Sequence, residues 1–179
     1  VTDRASWAAF LDGVDERVGP VEALVLTAGP GWSGPFADEP DEDARAHVDL
    51  ALRGPMLGVK LAAPRMAARG VGHLIAVTPA AGSATAVAIR QAVRGYCAAV
   101  RPELRAAGVQ VSVVLPGARA TEQDVGRAVE RALERPRLEI HVPPLLGAVE
   151  RVAALLPRRA VEALTPRRVP SRGSLGPGR

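Results

Sequence analysis

The apolar run Leu74-Ile75-Ala76-Val77, the stretch from Ser83 to Ala107 with no glycine before Gly95, and the run Val109-Gln110-Val111-Ser112-Val113-Val114-Leu115 closed by Pro116-Gly117 decide the fold. The two runs have strand length, and the stretch between them has the length and residue types of a helix. Two parallel strands need a crossover of this size, and the crossover is right-handed. The pattern therefore predicts a βαβ unit, in which chemistry gathers at the carboxyl ends of the strands. Those ends read Thr78-Pro79-Ala80-Ala81-Gly82 and Pro116-Gly117, and the helix opens Ala84-Thr85-Ala86-Val87. The scaffold of a site is present, yet reacting side chains are scarce in it.

Upstream of this unit, Trp7, Phe10, Leu11, Val14 and Val18 recur at helical spacing and predict a helix over 4–18, capped by Thr2 or Asp3 and stopped by Gly19-Pro20. The run from Val21 to Leu26 predicts a parallel strand covered on both faces, ending in the turn Thr27-Ala28-Gly29-Pro30-Gly31. A loop from Trp32 to Pro40 follows. Asp41 is expected to cap a long helix through Met66 and Arg69, closed by Gly70, with Val48, Leu52, Met56, Val59 and Met66 as its apolar residues. Pro55 and Pro64 each remove a backbone donor, so a kink is expected at both. Pro102 likewise lies inside the crossover helix.

Downstream, Thr121 and Asp124 have capping-box spacing for a helix reaching Arg135, with Val125, Val129, Ala132 and Leu133 turned inward. Leu138 to Val142 reads as a last strand, and Leu145 to Leu156 as an amphipathic helix with a short helix after it over 160–164. The order of elements predicts an α/β chain, a partial doubly wound parallel sheet flanked by helices. It divides into a domain over 1–144, amphipathic helices over 145–164 that pack on or extend from it, and a disordered basic tail over 165–179. A helix with no strand before it suggests that the first βαβαβ segment of such a sheet is missing.

At 179 residues and 47% hydrophobic, the chain can bury one core, and with 3% aromatics that core must be filled by alanine, valine and leucine. The net charge of +4 is unevenly placed: from Arg151 onward seven arginines face the single acid Glu162, which gives the tail +6 and leaves −2 for residues 1–150. Such a tail is expected to be a solvated terminus, with an anionic membrane surface as the alternative contact and no specific nucleic acid. Cys97 is the single cysteine, so no internal disulfide and no cysteine-based zinc site can form, and its mid-helix apolar setting predicts a buried inert thiol. His47, His73 and His141 lack ligand spacing, and no metal site is expected. Ser33, Ser83 and Ser112 lie outside any nucleophile-elbow context. Asp38, Glu39, Asp41, Glu42 and Asp43 read as a solvated loop and helix start. With no signal-peptide pattern and no long apolar run, the expected location is the cytoplasm.

In order and spacing, these segments resemble the short-chain dehydrogenase/reductase family from Thr2 to about Leu156. Val1-Thr2-Asp3 is similar to the end of the family's third strand, and Leu24-Val25-Leu26-Thr27-Ala28-Gly29 to its fourth strand and Asn-Asn-Ala-Gly motif, of which Ala28-Gly29 is kept. Val48-Asp49-Leu50-Ala51-Leu52-Arg53-Gly54-Pro55 resembles the helix that carries the catalytic asparagine. Gly72 to Gly82 resembles the strand ending at the catalytic serine, and Pro116-Gly117 with Thr121 the family's Pro-Gly-x-x-x-Thr.

The resemblance implies a Rossmann-like fold, NAD or NADP as cofactor, and carbonyl–alcohol redox chemistry by a tyrosine whose pKa is lowered by a lysine four residues on, aided by a serine and an asparagine. The asparagine position is Ala51, the serine position Pro79, the tyrosine position Ala86 and the lysine position Arg90, so none of the four is retained. Tyr96 is the one tyrosine and Lys60 the one lysine, with Val100 four residues after Tyr96, so no Tyr-x-x-x-Lys exists anywhere in the chain. Arg90 is expected on the helix surface, since a guanidinium does not replace a compact ammonium on a ribose. The glycine-rich phosphate turn of a dinucleotide fold is also absent. Gly31-Trp32-Ser33-Gly34 follows the wrong strand for one. Ala28, Gly29, Pro116, Gly117 and Thr121 are then candidate remnants of a cofactor site, or simply a turn, a strand stop and a helix cap.

The resulting expectation is a truncated, degenerate family member that binds no cofactor and lacks the oxidoreductase activity. It would act by self-association through the two long helices around 48–66 and 84–107, a surface the family commonly uses for dimers. Two alternatives stand beside it. One is an NAD(P)-dependent oxidoreductase whose cofactor-binding segment precedes this chain; the other is an interaction module at anionic surfaces through the basic C-terminal helix and tail.

Overall fold

In the computed structural model, residues 2–27, 31–32, 34–80 and 82–147 are described. The expected helix over 145–156, the short helix after it and the basic tail lie outside these residues, beyond their first few positions. Ala28 and Gly29 lie outside them as well.

Four strands, β1 (Ala23–Thr27), β2 (Gly72–Val77), β3 (Val109–Pro116) and β4 (Glu139–Val142), form one parallel sheet in the order β1-β2-β3-β4. Leu24 pairs with Leu74, Leu74 with Val111, and Val114 with Ile140, so the strand ends Thr27, Val77 and Pro116 line up at one edge of the sheet. The βαβ unit expected between Leu74 and Pro116 is present, its crossover being α4 (Ala84–Ala106). Ser83 starts that helix by accepting the amide of Ala86 at 3.1 Å.

One face of the sheet is covered by α1 (Arg4–Arg17), α3 (Gly54–Arg69) and α4. Trp7 and Leu11 of α1, Val59, Ala62, Ala63 and Met66 of α3, and Leu24, Leu26 and Leu74 of the sheet form one apolar cluster. Ile89, Val93 and Cys97 of α4 with Ala76, Val111 and Val113 form the next. Gly58 lets α1 and α3 approach closely, because a Cβ there would lie 2.8 Å from the Trp7 ring and 2.9 Å from Leu26. The other face is covered by α5 (Glu122–Glu134), whose Ala128 and Ala132 pack on Ile75, Val114 and Val142. Arg94 ties α4 to β4 by two bonds to Glu139, at 2.7 and 2.8 Å, and holds that carboxyl below the usual range.

Several details depart from the sequence reading. Among the described residues β1 is covered on one face only: Leu24 and Leu26 are buried, whereas Val25 is 39% exposed. It is the edge strand, and α5 reaches only β2 to β4. Phe10 on α1 and Val18 just after it point to solvent, as does Leu133 on α5. Asp41 is the first residue of a helix rather than its cap, the cap position being Pro40. The helix α2 (Asp41–Val48) runs into a widened π-type turn, Asp49–Arg53, before α3 begins. Pro55 explains the widening: it can give no amide to the carbonyl four residues back, and its ring would crowd that carbonyl. Glu39 is not wholly solvated, since it accepts the hydroxyl of Thr85 at 2.6 Å. Among the described residues no helix is long and apolar enough to cross a membrane.

Candidate functional site

The strand ends open into a cavity of about 550 Å³. Its floor is Thr27, Val77, Thr78 and Pro116; Pro79, Gly82 and Ala86 form the side towards α4; Thr121, Glu122 and Val125 form the side towards α5; and Gly31, Trp32 and His47 close the remaining side. This is where an open parallel sheet places its ligands.

Each expected family position can be located. Ala86 sits in the first turn of α4 and is buried against the cavity. Pro79 lines the wall where β2 ends and carries no donor. Ala51 is buried in the apolar cluster with Ala76, Ile89 and Val93, away from the cavity wall. Arg90 is not on the helix surface: it is 7% exposed, and its Nη1 donates to the Pro116 carbonyl at 2.6 Å and to Thr78 Oγ1 at 3.4 Å. The correction has a physical reason. The carbonyl of Pro116 ends β3 and Thr78 ends β2, whose hydroxyl itself donates to the Val114 carbonyl at 3.2 Å, so the guanidinium ties together two strand ends whose polar groups are cut off from water.

Of the candidate remnants, Pro116 and Thr121 line the cavity. Thr121 caps α5: its hydroxyl accepts the amide of Asp124 at 3.2 Å, and its own amide donates to the Asp124 carboxylate at 3.2 Å, the capping box read from the sequence. The Thr121 hydroxyl, which also donates to the Asp124 carboxylate at 2.7 Å, and the Thr121 amide hold that carboxyl below the usual range. Gly117 donates its amide to Val142 at 2.7 Å, and a Cβ on it would strike the side chain of Leu146.

His47 was weighed from the sequence only as a metal ligand. It is 3% exposed, and neither ring nitrogen has a hydrogen-bond partner. Its signal was its place on the helix that runs on to Ala51, four residues ahead of the asparagine position. Gly31 lies directly over the ring, where a Cβ would overlap Cε1 and come within 2.7 Å of Nδ1 and 2.8 Å of Nε2. Cys97 is buried in the core, and burial pushes its thiol up to about 11, which leaves it unreactive at neutral pH.

Fold and strand-end cavity together define an α/β protein with a Rossmann-like parallel sheet. Residues 1–130 match the short chain dehydrogenase family model. The chain belongs to that family. It is 30% identical over 124 residues to oxidoreductase UcpA of Escherichia coli K12, a match covering 65% of this chain and 47% of UcpA. It thus spans about half the length of the curated relatives it matches. Among solved structures, it superposes on the apo form of LigO from Sphingobium sp. strain SYK-6 with a TM-score of 0.76 and 25% identity, covering 91% of this chain and 67% of LigO. A metagenomic short-chain oxidoreductase in complex with NADP gives a TM-score of 0.68 and 27% identity, covering 78% of this chain and 70% of that one.

The described residues do not fit the nicotinamide end of such a cofactor. Lys60 is exposed on α3, and Tyr96 packs against the Trp7 cluster, where burial raises its pKa. Arg90 is committed to the strand ends. On the side where a Cβ would stand, Gly31 meets the His47 ring rather than open space.

Proposed function

We propose that this chain is a non-catalytic member of the short-chain dehydrogenase family, descended from an NAD(P)-dependent oxidoreductase of carbonyl or alcohol substrates, which acts by pairing with a second copy of itself. The observation that carries the reading is the 2.6 Å bond from Arg90 to the carbonyl of Pro116. The cation at the family's lysine position is occupied within the fold, and beside it Ala86 offers no phenol for a cation to activate. Self-association is supported by Val48, Leu50, Met56 and Val87, large apolar side chains that α2 to α4 leave exposed. Titration with NADH and NADPH, followed by nucleotide fluorescence and protein melting temperature, tests the reading. No response at millimolar nucleotide is expected, together with a dimer in sedimentation velocity; micromolar binding overturns it.

The half-length match to UcpA favours a second reading, an NAD(P)-dependent oxidoreductase whose cofactor-binding part is supplied by residues outside this chain. The same titration on any longer product of the gene separates the two.

A further inference from the structure

Unlike charges stand at the two ends of the sheet. At the carboxyl end of the strands, beside the cavity, residues 31–44 carry five acids and no basic residue. Asp38, Asp41, Glu42 and Asp43 are exposed there, and the same segment presents Phe36, which is 78% exposed. The ring is held in that position: the Trp32 indole and the Asp38 amide both donate to the Pro35 carbonyl at 3.1 Å, and Glu39 accepts the Thr85 hydroxyl at 2.6 Å. An aromatic side chain fixed in place before a partner arrives loses little entropy when one does.

At the amino end of the strands, Arg94 bonds Glu139 of β4, so that face of α4 looks towards β4. Arg101 and Arg105 follow seven and eleven residues later, on the same face and nearer the end of the helix. They overlook the connection from α5 to β4, where Arg135 and Arg137 are exposed close to Leu133, itself 47% exposed. None of these four arginines forms an ion pair among the described residues, and the buried Nε of Arg101 has no hydrogen-bond acceptor. Glu103 lies on the opposite side of α4 and Glu134 is the acid at hand, so the ridge stays positive. Helix dipoles account for Arg105 and Arg135 at the ends of α4 and α5, but they leave Arg101 and Arg137 without a role.

We propose that the Phe36 loop of one copy docks on the arginine ridge of the next. Phe36 lies against Leu133 and the apolar stems of the arginines, and the acids around it supply the acceptors that the guanidiniums lack. The occupant is a second copy because the complementary charges belong to one sequence. The two surfaces sit at opposite ends of a parallel sheet, so the contact is head-to-tail and leaves one of each unfilled in a pair. It is separate from the pairing through α2 to α4 and differs in kind, since it rests on charge and weakens with salt.

The test is sedimentation velocity of the full chain over a range of concentrations, at about 0.05 M and about 0.5 M sodium chloride. At the lower salt the chain should grow with concentration; at the higher it should fall back to its base state. Arg105→Glu with Arg137→Glu removes the ridge, and Asp38→Lys with Asp43→Lys removes the acidic loop, so each double variant alone should stay at the base state with its melting temperature kept. Mixing the two should restore association, because one keeps the loop and the other the ridge. Phe36→Ser should weaken the contact at least tenfold with no change in charge. Growth that is equal at the two salts overturns the proposal, as does a mixture of the folded variants that stays at the base state. Should a double variant fail to fold, Phe36→Ser and the salt comparison decide alone. The mixture also reads out the pairing through α2 to α4: dimers build alternating chains and monomers stop at a one-to-one pair, so either contact can fail while the other stands.

Discussion

The two faces of the sheet differ in kind. One carries Leu24, Leu26, Leu74, Ala76, Val111 and Val113 under three helices and is closed from edge to edge. The other carries Ile75, Val114 and Val142 under α5 alone, and at β1 it is open, with Val25 exposed. The closed face holds the fold; the half-open face carries α5 with its capping box, the His73–Ser112 pair and the exposed Val25. Substitutions should therefore separate by face, with large losses of stability on the first and smaller or different effects on the second.

Leu74→Ala attacks the closed face at its centre. Leu74 is 1% exposed and touches the α1–α3 cluster, so truncation removes apolar burial and leaves a cavity, at about 2–5 kcal/mol. Urea unfolding measures it, and a loss under about 1 kcal/mol would show that the helices on this face are not packed as described. Arg90→Met comes next. It removes the donor to the Pro116 carbonyl and to Thr78, and stranding those acceptors should cost about 2–4 kcal/mol. Arg90→Lys should lose nearly as much and gain no NADH binding, since an ammonium at the end of a shorter reach cannot hold both strand ends.

The half-open face gives smaller effects. Thr121→Ala breaks the capping box of α5 and should cost about 1 kcal/mol. His73, buried beneath the same face, bonds Ser112 Oγ at 2.9 Å, and burial lowers its pKa below the ordinary 6.5. A histidine held neutral in the native state adds no pH dependence above that value. As pH falls below it the unfolded chain takes up a proton that the native chain refuses, so stability declines on acidification. His73→Gln should flatten the urea midpoint between pH 7 and pH 5; an unchanged slope would assign the decline to other groups.

What the sequence disclosed follows the same division. The β2–α4–β3 unit was legible because a strand buried on both faces is apolar throughout and its crossover has a fixed length. The capping box at Thr121 was legible because its chemistry is local. The open face of β1 was not: an apolar run reports that a strand can be buried, while its actual cover depends on which helices the rest of the chain supplies. Arg90 was misplaced for a related reason. An arginine on a helix reads as surface unless one knows that the Pro116 carbonyl and the Thr78 hydroxyl wait within reach of it. His47 was passed over because its place on the helix ahead of Ala51 does not tell whether the ring finds a partner in the fold.

Val25 gives the smallest effect on stability and the sharpest test of the comparison. Already 39% exposed, it loses little on truncation, and Val25→Ala should change stability by about 0.5 kcal/mol or less. Its consequence lies in association. β1 pairs with β2 on one side only, and an apolar edge strand is a template for another chain. If copies pair through the exposed residues of α3 and α4, Met56→Asp or Val87→Asp should convert a dimer to a monomer in sedimentation velocity. Val25→Asp should then leave the dimer and remove only larger species. The opposite result, with Val25→Asp giving the monomer and the helix variants remaining dimeric, would move the interface to the sheet edge.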